Sequence, residues 1–103
     1  MTENKEYINT VRDLIKPPTD VKKIDKAISI CLEALSNNDK DTLALFEISI
    51  CFTKKKAYLR AIKYLLRLLD INPGDIPARY LLSECYGKTG KFIESVKHAK
   101  FAI

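Results

Sequence analysis

Between Tyr58 and Leu69 the apolar positions are Tyr58, Leu59, Ala61, Ile62, Leu65, Leu66, Leu68 and Leu69. They recur at helical spacing, in a stripe too broad for a helix covered on one side only. The pattern predicts a helix with both flanks covered by neighbours, stopped by Asn72-Pro73-Gly74. Upstream, Tyr7, Ile8, Val11, Leu14 and Ile15 share one face of a first helix over residues 3–16, with Thr2 as a possible N-cap. Pro17-Pro18 must end that helix near Ile15 or Lys16, because a residue before proline is pushed out of the α region. Thr19 or Asp20 caps a second helix carrying Ile24, Ala27, Ile28, Cys31, Leu32, Ala34 and Leu35, which closes at Ser36-Asn37-Asn38. Asp39 or Asp41 starts a third helix through about Phe52, and Asp75 caps a fifth, with Pro77 in its first turn and its end near Gly87. After Lys88-Thr89-Gly90 a sixth helix begins at about Phe92 and is still running at Ile103.

These elements repeat. A shift of 34 residues places Ala27 on Ala61 and Ser95, Ile28 on Ile62 and Val96, and Ile24 on Tyr58 and Phe92. The same shift aligns Leu14 with Ile48 and Leu82, Phe52 with Tyr86, and Cys51 with Cys85. The chain therefore divides into three two-helix units, about 8–41, 42–75 and 76–103, forming one domain over residues 1–103.

A 34-residue unit of two helices resembles the tetratricopeptide repeat (TPR) family. The middle unit carries the resemblance best. Ile48-Ser49 stands where the family has Leu-Gly, Phe52 where it has Tyr, Ala61 at the small residue of the second helix and Pro73 at the closing proline. The third unit keeps Leu82-Ser83, Tyr86 and Gly90 but has Ser95 for the small residue. In the first unit the aromatic slot falls on Pro18 and the closing-proline slot on Asp39, and the family's Trp slot holds Val11, Leu45 and Arg79. The resemblance implies an all-α fold of six helices, a right-handed superhelical stack of three antiparallel hairpins. Its last unit has no capping helix, and an uncapped solenoid end leaves apolar surface open to water. Either the chain is a fragment of a longer helical-repeat protein, or the end is covered by another molecule, such as a second copy meeting Phe92, Val96, Ala99 or Ile103.

Composition narrows the function classes. Hydrophobic residues at 47% with 30% charged describe a globular chain rather than a disordered or fibrous one. No run approaches a membrane span and the polar start MTENKEYINT has no secretory apolar core, which points to a cytoplasmic location. Cys31, Cys51 and Cys85 are odd in number and form no CxxC pair, so neither a disulfide framework nor a metal site is expected, and Cys51 and Cys85 read as small buried hydrophobes. Catalysis is not expected: His98 stands without a partner at triad spacing, and three glycines make no phosphate loop. No cofactor is implied. A net charge of +5 keeps open a basic helical domain contacting nucleic acid, but without interleaved aromatics the charge reads as a solvated face. Lys54-Lys55-Lys56 at a helix C-terminus also complements the macrodipole.

The family resemblance points to a non-enzymatic protein-interaction module whose first helices line a concave face that receives a peptide or partner segment. Carried over, the inward positions are Asn9, Arg12 and Lys16, then Leu43, Phe46 and Ile50, then Pro77, Tyr80 and Glu84. In the subclass that grips chaperone C-terminal carboxylates, the gripping slots fall here on Arg12 and Lys16, Glu47, and Pro77 and Leu81. Glu47 would repel a carboxylate and the last two cannot bind one, so the chain is not expected to be a chaperone-tail clamp. The cluster Leu43, Phe46, Ile50 and Tyr80 points instead to an apolar contact.

Overall fold

Three aspartates set where helices begin. In the computed structural model, which describes residues 6–90, Asp20, Asp41 and Asp75 accept the backbone N–H of Lys23, Ala44 and Ala78 at 2.9, 3.1 and 3.0 Å. Each thereby satisfies one of the donors that a helix start leaves without a partner. The helices are α1 (Glu6–Ile15), α2 (Val21–Asn37), α3 (Thr42–Lys54), α4 (Tyr58–Ile71) and α5 (Ile76–Lys88). Of the two alternatives for capping α2, Asp20 takes the role. Thr19 turns back and donates its hydroxyl to the Leu14 carbonyl at 2.6 Å, closing α1. Of Asp39 and Asp41, the cap of α3 is Asp41. The sixth helix expected from about Phe92, with Val96, His98, Ala99 and Ile103, lies outside the described residues, as does Thr2.

The turn after α3 is a Schellman motif. Lys56 N–H bonds the Thr53 carbonyl at 2.9 Å and Ala57 N–H reaches the Phe52 carbonyl at 2.8 Å, which requires a left-handed residue at Lys56, φ 62°. Thirty-four residues on, Gly90 takes the same conformation at φ 85°. The first hairpin departs from this pattern. A shift of the α3 end by the repeat length would carry α1 to Asp20, but α1 stops at Ile15 before a cis Pro17-Pro18 bond.

Packing centres on α3, which contacts α1, α2, α4 and α5. Accordingly Ala44, Leu45, Ile48, Cys51 and Phe52 are all buried, together with the polar Glu47 and Ser49. Phe52 stacks on Tyr64 of α4 with ring centroids 5.7 Å apart, adding to the area the two helices bury. Ser49 donates to the Leu45 carbonyl at 2.7 Å, so its hydroxyl is satisfied within its own helix. Two side-chain bonds tie α1 to the start and middle of α3: Tyr7 hydroxyl to Asp41, and Arg12 Nε to Glu47 at 3.0 Å.

One expectation is corrected. Helix α4 does have a neighbour on two sides, α3 and α5, but the broad stripe is not wholly covered, because Leu59 and Leu66 are 68% and 45% exposed. Leu32, one repeat length before Leu66, is exposed as well. Side chains of α4 that face α3 and α5 are buried (Ala61, Leu65, Leu68), whereas Leu59 and Leu66 point away from those neighbours.

Two stability predictions follow from these contacts. Glu47 has 4% of its side-chain surface exposed and Arg12 54%, so truncating Arg12 strands a carboxylate on the buried side. We expect Arg12→Ala to cost about 1–2 kcal/mol, less than for a fully buried pair because water reaches the guanidinium. Urea unfolding of Arg12→Ala, Glu47→Ala and the double variant measures the coupling, which should exceed about 0.5 kcal/mol. At Lys56 a side chain bears the left-handed penalty that glycine avoids, and Lys56→Gly should raise stability by about 0.5–1 kcal/mol after the entropy glycine adds to the unfolded chain. An unchanged or lowered urea midpoint would count against that account of the turn.

Candidate protein-interaction surface

Helices α1, α3 and α5 lie side by side, α1 against α3 and α3 against α5. The residues expected to line a concave face are distributed over these three helices and the turn after α1. Leu43 and Tyr80 are 39% and 50% exposed, on α3 and α5 respectively. Phe46 and Ile50 are half-buried and packed against the core. Part of each is therefore already used in holding the fold, and only the remainder is open to a ligand. Asn9, Pro77 and Glu84 are exposed.

The basic residues at the first-unit end are less free than their sequence positions suggest. Arg12 has its Nε committed to Glu47, and Lys16 lies 3.7 Å from Asp13 one turn back. Glu47 is consequently not a carboxylate facing an incoming ligand. It is buried, and its charge is balanced from α1. The sequence offered a sign of this pairing, since Arg12 and Glu47 lie one repeat plus one residue apart, but chain spacing alone does not show which face each side chain takes.

The cysteines are core residues. Cys31, Cys51 and Cys85 are free thiols with no exposed surface. Cys31 and Cys51 share a hydrogen bond that, with burial, pushes the Cys31 thiol far above its ordinary range. Burial also raises Cys85, partly offset by a hydrogen bond with the Thr53 hydroxyl, 3.7 Å away. Cys51 is shifted the other way, lowered by its contact with the Cys31 thiol, but it is just as buried. Cys31 and Cys85, held protonated and shielded, are poor nucleophiles. Among the described residues no cluster of His, Cys, Asp and Glu is arranged to hold a metal ion, and no helix is long and apolar enough to cross a membrane.

No family model and no curated protein matches the chain. Solved structures do. MamA AMB-1 superposes over 93% of this chain with a TM-score of 0.77 and 18% identity, and MamA MSR-1 over 80% with a TM-score of 0.73 and 20% identity. The matched regions make up 52% and 47% of those proteins, so the chain spans about half their length. At such identities the likeness is one of fold, and that fold is the TPR-like helical repeat of MamA.

Proposed function

We propose that the protein is a non-enzymatic interaction scaffold, a right-handed stack of three hairpins that binds a peptide or partner segment along the face formed by α1, α3 and α5. The observation that carries this reading is Tyr80, a large side chain left half-exposed on α5, with Leu43, Phe46 and Ile50 partly open on the neighbouring α3. Aromatic residues standing out from a rigid helix surface anchor partners at small entropic cost. The TPR-like fold supports protein partners in general terms.

The engagement of Arg12 by Glu47 and of Lys16 by Asp13 shifts the balance of recognition toward the apolar residues. An acidic end of a bound segment must compete with carboxylates already in place, so charge here acts mainly on orientation and on-rate. Asn9 and Glu84 supply polar contacts at either end of the face. A cytoplasmic setting is part of the same reading.

The test is recovery of partners from the source cell with the wild-type module, Phe46→Ala and Tyr80→Ala, each first checked for unchanged helical content. Truncation at a true anchor costs about 2 kcal/mol, roughly a thirtyfold loss of affinity. Tyr80→Ala is the cleaner variant because Phe46 also packs against the core. Should both variants retain the wild-type partners at undiminished yield, the face is not the binding site.

A further inference from the structure

A second surface lies at the edge where first helices end and second helices begin. Thr53 of α3 and Cys85 of α5 approach to 3.7 Å, which sets the last turns of the two helices side by side. Lys54 and Lys88 therefore stand on neighbouring helix ends, joined by Lys56 in the turn and Arg60 in the first turn of α4, all exposed. Lys55 is neutralised by Asp25, but among the described residues no carboxylate lies within ion-pair distance of Lys54, Lys56 or Lys88. At the opposite edge the arginines are occupied, Arg67 with the Asp39 carbonyl and Arg79 with that of Pro73.

This basic edge also contains a cavity. It measures about 320 Å³ and is lined by Lys56, Ala57, Tyr58, Leu59, Arg60 and Thr89. Among the described residues the lining has no acidic member. Its wall is apolar, with Leu59, the most exposed large hydrophobic residue among the described ones at 68%, forming the outer side. The volume is at the low end for a ligand site and suits one side chain rather than a cofactor.

We propose that this edge binds an acidic peptide segment carrying one apolar side chain. The apolar side chain enters beside Ala57, Tyr58 and Leu59, and the flanking carboxylates meet Lys56, Arg60, Lys54 and Lys88. Charge complementarity selects the acidic partner, and the cavity selects a peptide from among polyanions. Among the described residues a nucleic acid finds no stacking platform here, since Tyr58, the one aromatic of the described lining, is half-buried. A bilayer meets protruding apolar faces rather than a concavity of this size. The surface is separate from the face formed by α1, α3 and α5, so either can fail without the other.

The full chain is titrated by fluorescence anisotropy with a labelled peptide of glutamates around a single leucine. The same peptide with serine in place of leucine, a labelled oligo-thymidine strand and phosphatidylserine-containing vesicles are run beside it. The leucine peptide should bind at least about fivefold more tightly than the serine peptide and more tightly than either other polyanion. Leu59→Ser and Arg60→Glu should each weaken it about tenfold. Leu66→Ser, which removes an exposed leucine of α4 outside the cavity, should leave it unchanged once circular dichroism shows all three variants folded. Equal binding of the leucine and serine peptides, stronger binding of oligo-thymidine or vesicles, or indifference to Leu59→Ser overturns the proposal.

Discussion

The enclosure of α3 by four other helices is the constraint on which the structure depends. A helix contacted on most of its circumference cannot keep one polar face, and α3 reads accordingly, with Ala44, Leu45, Ile48, Cys51 and Phe52 buried along its length. Enclosure also means that any polar residue on α3 must find its partner inside the protein. Ser49 finds it in the Leu45 carbonyl, and Glu47 in Arg12. The latter contact comes from a helix of a different unit, so the first hairpin is bound to the second by charge as well as by apolar packing.

That bond has a consequence for recognition. An arginine that completes the coordination of a buried carboxylate is a structural residue even where half its surface is open. On the binding face proposed above, Arg12 and Lys16 are therefore less free than their sequence positions indicate. Among the described residues, positive charge without a carboxylate partner stands instead at the hairpin edge, on Lys54, Lys56 and Lys88, next to Arg60, whose guanidinium lies over the Phe52 ring.

Repeat geometry explains where units agree and where they differ. Asp41 and Asp75 cap their helices in the same manner, each accepting from the alanine three residues on. Lys56 and Gly90 take the same left-handed turn. The first unit reaches its hairpin by another route, with α1 ending early, Thr19 closing it and Asp20 starting α2 at Val21. A turn is a local matter of a few hydrogen bonds, so one unit can change it without disturbing the face that packs on its neighbour.

Local patterning by itself determined the helices from α1 to α5, the 34-residue period, the capping role of Asp75 and the burial of Ala61 and Leu65, while the choice of Asp41 over Asp39 as the cap of α3 came from the structure. These depend on periodicity and on hydrogen bonds between residues close in the chain, which a sequence displays directly. Tertiary structure alone decided which flank of α4 stays open, so that Leu59 and Leu66 are exposed within a stripe that looks uniformly apolar. It also decided that Glu47 faces inward to Arg12, that the Cys31 and Cys51 thiols meet, and that Lys54 and Lys88 end on neighbouring helices. Each of these depends on the azimuth at which one helix packs on another. That angle is fixed by the fit of side chains from separate parts of the chain, and no single helix encodes it.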